Sequence, residues 1–594
     1  MSVAAHNFVS QMPETARYDV VVLGAGAAGM AAAVFAALNG SKVLLLESTE
    51  YVGGTSALSG GTTWVPLTRY LDEVDSEDSY DKVMEFLDAA VGEHSPRAMR
   101  EAFLKAGPEA IHTLVDNTSV EFRAYPFHAD YMADLPGASV NGRALEPLPY
   151  IANHLGKNLK LLRPPIPEFT VLGGMMVNRA DINQLLDRFK SPKSFLYTVS
   201  LVLRYWRDKL VHGQSARSVM GHALIARLLD SALNLGVDIA VNTEVTSLQS
   251  GEQQGVTQVT GLTIQQGSAQ RQVAVSGGVI LASGGFGSDP EKRRSLFPQG
   301  MSPYSPSAPG SDGVLHKQVM ALGAYYGGAE DQPAFWAPCS IRQRKDGTTA
   351  VFPHFVFDRS KPGTLCVGQD GKRFVNESLS YHEFGKVQLS GGENTNPAWI
   401  VCDAEAIQKY GLGLVRLGGD DVRPYLQDGY LLKGDTIAEL AQQMRVDAAN
   451  LQASIEQINA AAQTGEDTVF QRGSTVYQRA NGDPEHGGKN PTLGTLATAP
   501  FYAVKLYPAD IGTAKGLVGN EHAQLRHQDG GVIEGLYACG NDLDSIMGGR
   551  YPGPGITIGP GIVFGWLAAK HASQRAQSQL QPQQAQQSQE EAVA

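Results

Sequence analysis

The sequence predicts an α/β protein: a Rossmann-like dinucleotide-binding domain interrupted by an inserted α+β cap domain. Three observations carry that expectation. A glycine fingerprint sits between two short apolar strands near the N-terminus. Apolar strands ending in glycine recur hundreds of residues later. Between Trp336 and about Leu506 the character changes to mixed short strands and helices with more polar loops. At 594 residues the chain has room for several domains and a large core.

Tyr18–Leu23 reads as an apolar strand, Gly24-Ala25-Gly26-Ala27-Ala28-Gly29 as a turn, and Met30–Leu38 as an Ala-rich helix. Lys42–Leu46 follows as a second strand, ending in Glu47, 23 residues after Gly24. Gly24 allows the tight turn, Gly26 lets the backbone approach a pyrophosphate, and Gly29 lets the helix pack on the strand. Glu47 can hold ribose hydroxyls.

Further glycine segments decide which dinucleotide is meant. Gly53-Gly54-Thr55-Ser56-Ala57-Leu58-Ser59-Gly60-Gly61 comes next. Val279–Phe286 is a buried strand ending in Gly284-Gly285, and Gly535–Asn541 has the same form. An NAD domain needs only the first fingerprint, whereas repeated glycine-ended strands suit a chain folding back along one long cofactor. These segments resemble the FAD-binding parts of the fumarate reductase/succinate dehydrogenase flavoprotein superfamily. The resemblance implies FAD held by Gly24, Gly26, Ala28, Gly29, Glu47, Ser48, Gly54, Thr55, Ser56, Ser59, Gly60, Gly61, Val245, Ala282, Gly284, Gly540, Asn541, Ile556 and Ile558. Covalent members use a histidine near the first glycine-rich segment, and none lies between Glu47 and Trp64, so the FAD is expected to be non-covalent. The expected division is an FAD-binding domain over 1–335 and 511–572, a catalytic cap over 336–510, and a disordered Gln-rich tail over 573–594.

Gly548–Gly561 reads GGRYPGPGITIGPG. Glycines let this backbone approach a flat ligand and prolines stiffen it, while Pro560 suits the first turn of an apolar helix. A phenol and free N–H groups at a helix N-terminus can polarise an oxygen that becomes negative. With Gly371–Tyr381 and the stretch from Asp130-Tyr131 to Gly142-Arg143, this turn resembles the 3-ketosteroid Δ1-dehydrogenases. The resemblance places Tyr551 and Gly555 on the carbonyl-polarising positions, Tyr381 on the general base and Tyr131 on its helper. It implies 1,2-desaturation of 3-ketosteroids, with a quinone-like acceptor taking the electrons. Removing an α proton and a β hydride suits these residues: donors on the carbonyl steady the enolate, and an assisted phenol takes the proton. The same scaffold also admits Δ4-desaturation or another hydrophobic cyclic ketone. A fumarate-reductase-like enoate reductase would need Arg/His carboxylate ligands; Arg550 is one arginine in reach, but no Arg/His cluster is legible with it. His128, His354 and His382 read as solvated or structural.

The net charge of −12 argues against nucleic-acid partners. The four cysteines are widely spaced, which suits a reducing compartment and offers no metal framework. The polar N-terminus reads as no export signal, so a cytoplasmic location is expected. One segment departs from the acidic background. From Arg188 to Arg217 there are seven Lys/Arg and one acid, interleaved with Phe189, Phe195, Leu196, Leu203, Trp206 and Leu210. Two readings stand. One is a helix lying in a membrane interface, which would place the protein on the inner face of the cytoplasmic membrane. The other is a surface helix packed on the FAD domain or on a second subunit.

Overall fold

Apolar runs at the N-terminus form the centre of the larger of two main sheets. The computed structural model describes residues 8–328 and 332–593, with side chains to residue 579. The chain opens with β1 (Thr15–Leu23), α1 (Ala27–Leu38) and β2 (Val43–Leu46), then passes through a subdomain containing α2 (Pro192–His212). It adds β3 (Asp238–Ala240), β4 (Glu244–Gln253), β5 (Val256–Gln266) and β6 (Ala269–Leu281). The inserted region carries β7 (Ala334–Gln343), β8 (Thr349–Pro353), β9 (Thr364–Val367), α3 (Tyr381–Ser390), β10 (Ala398–Cys402) and β11 (Leu431–Gly434). It continues with α4 (Ile437–Met444), α5 (Ala448–Thr464) and β12 (Phe501–Thr513). The chain then returns through β13 (Gln524–Arg526) and β14 (Val532–Ala538) to end in α6 (Ile558–Val593).

The first sheet has eight strands in the order β3-β2-β1-β6-β5-β14-β13, with β4 paired to β5 and β6 also paired to β14. β1 runs parallel to β2 and β6, and β6 runs parallel to β14. Both faces of these strands are buried, which is why Val20–Leu23 and Val43–Leu46 are continuous apolar runs instead of alternating ones. The fingerprint glycines are sterically required. Gly24 has φ +108°, and a Cβ on Gly29 would fall 1.9 Å from the Gly24 carbonyl oxygen. The Ala-rich composition of α1 has its own cause: α6 packs closely across it, and a Cβ on Gly565 would lie 3.0 Å from the Ala28 oxygen.

The second sheet is antiparallel, ordered β8-β7-β12-β10-β9 with β11 on β12. Alternate residues of its strands face two different cores. Leu365, Val367, Trp399 and Val401 pack with Leu440, Leu451 and Ile455 of α4 and α5, whereas Cys366, Ile400 and Cys402 pack with Phe384 of α3 and with Ile407.

The expectation of a disordered tail from residue 573 is corrected. α6 continues helically to Val593, in keeping with the high helix propensity of Ala and Gln. Its first tail residues are docked: Ser573 and Ala576 are buried, Ser41 Oγ donates to Ser573 Oγ at 2.8 Å, and Arg575 donates to the Ser276 and Gly277 carbonyls at 2.9 Å.

The basic segment forms the amphipathic helix α2. Leu201, Tyr205 and Asp208 face inward; Tyr205 donates to the Leu172 and Gly173 carbonyls, and Asp208 accepts from Ala216 N. Leu196, Leu203 and Leu210 point outward at 67%, 65% and 85% exposure. No helix among the described residues is long and apolar enough to cross a membrane.

Candidate active site

The turn that leads into α6 is held against the N-terminal domain by its backbone. Tyr131 N donates to Pro552 O at 2.7 Å, and Gly555 O accepts from Trp64 N at 3.2 Å and Gly559 N at 3.0 Å. Gly555 adopts φ +89°, and a Cβ there would lie 2.2 Å from the Thr62 oxygen, so only glycine fits. Its N–H has no acceptor among the described residues, while Tyr551, four residues earlier, is 5% exposed. A buried phenol and an unspent backbone donor therefore lie on one rigid turn.

Tyr381 faces them from the cap. It is the first residue of α3, following Ser380, whose hydroxyl accepts from Glu383 N at 3.4 Å. A helix N-terminus favours negative charge, which suits a phenol that must become phenolate. The ring of Tyr381 lies 5.0 Å from that of Tyr551 and 5.5 Å from that of Tyr131, with Phe355 packed against it at 4.8 Å. The Tyr131 and Tyr381 hydroxyls are 3.5 Å apart. The structure thus brings together the three tyrosines that the sequence analysis names, from positions up to 420 residues apart (551 minus 131).

Burial acts on all three phenols. Burial, and then the neighbouring Tyr131 and Tyr551, push the Tyr381 phenol well above its ordinary value. Burial raises Tyr131 and Tyr551 as well. Tyr131 OH donates to Tyr381 OH at 3.5 Å.

The loose match around Asp130–Arg143 turns out to be the support for Tyr131. Asp130 accepts from Trp64 Nε1 at 2.9 Å and from Arg143 at 2.8 Å, and Arg143 also pairs with Asp78 at 2.7 Å. All four side chains are buried. Behind Tyr381, the enclosed Arg359 guanidinium donates to the backbone carbonyls of His354, Phe355, Glu377 and Leu379. It therefore ties down the segment before Tyr381 and the loop that carries Phe355. Trp64 and Arg359 are not identifiable as part of the site from sequence, because their partners there are set by the folded chain.

The cofactor-assigned residues cluster at the C-terminal ends of adjacent parallel strands: Gly24 after β1, Glu47 and Ser48 after β2, Ala282 and Gly284 after β6, Gly540 and Asn541 after β14. Ligands of open α/β sheets bind at this edge. A Cβ on Gly26 would meet nothing within 4 Å, and the N-terminus of α1 carries no side-chain cap from Gly26. That open, N–H-rich space fits a pyrophosphate. Gly54 faces Gly26, while Ser56 Oγ accepts from Ala27 N at 3.3 Å and Thr55 Oγ1 from Ala308 N at 3.0 Å. Ser59 Oγ accepts from Gly61 N at 3.1 Å, Gly60 lies beside Thr62, and an added Cβ on Gly540 would approach that of Ala28 to 3.1 Å. Val245 lies near the start of β4, two residues beyond Thr243, whose N–H donates to Glu47 O. A cavity is lined by Phe335, Thr513, Gly540, Asn541 and Ile556, and Ile558 opens α6 beside it. Glu47 also serves the fold, since its carboxylate accepts from Ala25 N at 3.0 Å and from Thr49 N and Oγ1.

Asp542, one residue after Asn541, is the part of this region that sequence reasoning missed. Its carboxylate accepts from the Ser283 and Gly285 N–H groups and from His316, whose other ring nitrogen meets Tyr326 OH at 2.9 Å. Burial opposes its charge, but His316 and these backbone donors hold its carboxyl below the usual carboxylate range. This lock pins the end of β6 to the segment after β14. An acid directly following the glycine-ended strand was the signal available in the sequence.

The remaining candidates are accounted for locally. His354 is fully buried between Asp358 and Ser340, and His382 is buried with Nδ1 accepting from Trp336 N. His128 is kept neutral, its value lowered to about 4 by burial and by Arg179. Arg550 meets His94 Nε2 at 2.7 Å.

Comparison with known proteins agrees with this geometry. A family model described as an FAD binding domain matches residues 19–558. A 4-oxocyclohex-2-ene-1-carboxylate 5-dehydrogenase of Sinomonas cyclohexanicum is 36% identical over 95% of this chain and 95% of its own. A 3-oxosteroid 1-dehydrogenase of Mycolicibacterium smegmatis is 34% identical over 93% and 96%. The crystal structure of a 3-ketosteroid Δ1-dehydrogenase from Sterolibacterium denitrificans, in complex with 1,4-androstadiene-3,17-dione, superposes with a TM-score of 0.87. It is 31% identical and covers 94% of this chain and 100% of that one. Fold and site thus define a flavin-dependent oxidoreductase that binds FAD. More particularly, the chain belongs to the 3-ketosteroid Δ1-dehydrogenase family of flavoproteins.

Proposed function

We propose that the protein introduces a double bond next to the carbonyl of a cyclic ketone, with 1,2-desaturation of 3-ketosteroids as the leading reaction. The observation that carries this reading is the unpartnered Gly555 N–H beside the Tyr551 phenol, opposite Tyr381. Together the two donors hold the ketone oxygen and stabilise the charge it gains as the α carbon loses its proton. Tyr381, as phenolate, takes that proton on its oxygen, and Tyr131 holds the Tyr381 hydroxyl in place. The β hydrogen leaves with its electron pair, closing the new C=C bond. FAD, held by the glycine-ended strands, supplies the hydride acceptor when bound. A quinone-like compound is the proposed oxidant that removes the two electrons.

A second ketone class has a specific observation behind it. The 36% identical relative is named for a cyclohexenone carboxylate, so a monocyclic keto acid is the alternative substrate on the same machinery. Anaerobic bleaching of the yellow protein separates the cases. Androst-4-ene-3,17-dione is expected to bleach it, with 4-oxocyclohexanecarboxylate as the rival and succinate without effect. Bleaching by succinate alone would overturn ketone chemistry. Product NMR then distinguishes a Δ1 from a Δ4 double bond. Tyr551→Phe is expected to keep FAD and lose about 10²–10³ in kcat, the usual result of removing one oxyanion donor. Near-normal turnover would remove Tyr551 from the scheme.

The membrane reading of α2 belongs with a lipid-dissolved substrate. Leu196, Val199, Leu203, Trp206 and Leu210 form one exposed apolar stripe at helical spacing, flanked by the exposed Lys193, Arg204, Arg207 and Lys209. The protein is proposed to lie on the inner face of the cytoplasmic membrane through this stripe. Wild type should co-sediment with phosphatidylglycerol vesicles and the pair Leu203→Glu, Leu210→Glu should not. Equal sedimentation of both proteins would sink the proposal.

A further inference from the structure

Tyr477 takes no part in the scheme above, yet it stands beside the reacting tyrosines. It lies on the short cap helix Val476–Ala480 at 2% exposure, its ring 4.9 Å from that of Tyr131 and tilted by 47°. Ala129 and Val356 complete its packing. Its phenol is close enough to those of Tyr131 and Tyr551 to couple electrostatically with both. Tyr131 OH lies 3.5 Å from Tyr381 OH, and the Tyr551 ring packs 5.0 Å from Tyr381 and 5.8 Å from Tyr131. The Tyr477 hydroxyl is enclosed and has no hydrogen-bond partner among the described residues.

An enclosed hydroxyl without a partner costs free energy that a phenylalanine in the same packing would avoid, and protein interiors rarely keep one without a use for it. Ligand pockets are where such donors are held in reserve, since a few convergent polar groups in an apolar lining set orientation and choice of ligand.

We propose that Tyr477 is a specificity residue of the same site, donating a hydrogen bond to an oxygen acceptor on the bound cyclic ketone remote from its reacting carbonyl. The inference rests on the ketone-desaturation reading. A ring carboxylate and a second carbonyl both offer such an oxygen acceptor. A substrate lacking the acceptor leaves the buried donor unpaired and is disfavoured for that reason.

The test compares FAD-loaded wild type and Tyr477→Phe on two matched pairs. These are 4-oxocyclohexanecarboxylate against cyclohexanone, and androst-4-ene-3,17-dione against androst-4-en-3-one. Wild type must turn over at least one ketone; if it turns over none, it is the reading of the reaction that fails. In the pair that it accepts, Tyr477→Phe is expected to lower kcat/KM for the acceptor-bearing member by about tenfold and to leave the plain ketone within about twofold. The melting temperature should not fall, since the hydroxyl removed has no partner in the free protein. Equal losses on both members, no loss on either, or a large drop in melting temperature would each overturn the proposal.

Discussion

Tyr381→Phe is expected to lower kcat by about 10²–10⁴ while the protein stays yellow with FAD, because it removes the group proposed to take the α proton. The substitution deletes one oxygen and leaves the ring packed against Phe355, Tyr131 and Tyr551, so stability should change little. The pH dependence gives an independent check with a definite sign. Burial and the neighbouring phenols raise Tyr381 well above its ordinary value, so the proton-accepting phenolate is a minor species at neutral pH. Its population grows as pH rises. Wild-type kcat/KM should therefore climb by about tenfold per unit from roughly pH 7 to 9, and the residual rate of Tyr381→Phe should lose that slope. A flat wild-type profile, or one that falls with pH, would reject Tyr381 as the base. Rapid-mixing measurement of flavin reduction reads both quantities without involving the second electron acceptor.

Gly555→Ala is the second large effect, and it acts through the backbone. A Cβ at this position would fall 2.2 Å from the Thr62 oxygen and 2.8 Å from Thr63 N, and φ +89° is strained for any side chain. The turn must shift, moving the Gly555 N–H away from the position proposed for the ketone oxygen. The expected loss is about 10²–10³ in kcat, comparable to removing an oxyanion-hole donor, with FAD absorbance retained. Because Tyr551 lies on the same turn, Gly555→Ala combined with Tyr551→Phe should lose less than the product of the two single losses. A double variant in which the losses multiply fully would show that the two donors act on different atoms.

The fingerprint was legible because its causes are local. Gly24 and Gly29 are fixed by clashes within a few residues or with the adjoining strand, and those clashes leave glycine as the only choice wherever such a turn occurs. The helix start at Pro560 and the two-sided apolar strands follow from equally local rules. The tail after residue 573 departs from expectation for the opposite reason. Its composition is polar, but Ser573 meets Ser41 in the linker between α1 and β2, Arg575 meets β6 and Ala576 is buried, which composition does not reveal. Asp542 with His316, Arg143 with Asp78 and Asp130, and Arg359 with four carbonyls were hidden likewise, since each pairs residues that only the folded chain makes neighbours.

By itself, then, the sequence determined the dinucleotide-binding architecture and the run of glycine-ended strands, while Tyr131, Tyr381, Tyr551 and Gly555 were picked out through the resemblance to the 3-ketosteroid Δ1-dehydrogenases. Backbone sterics and hydrophobic periodicity act over short distances, so they are written into short stretches of residues. Only the tertiary structure decided that the three phenols meet within 5.0–5.8 Å, that burial acts on all three, and that the Gly555 N–H is left unspent. Only it placed the orphan hydroxyl of Tyr477 beside them. These properties depend on burial and on contacts between the FAD domain and the cap, and desolvation is a property of the assembled volume that no stretch of residues carries alone.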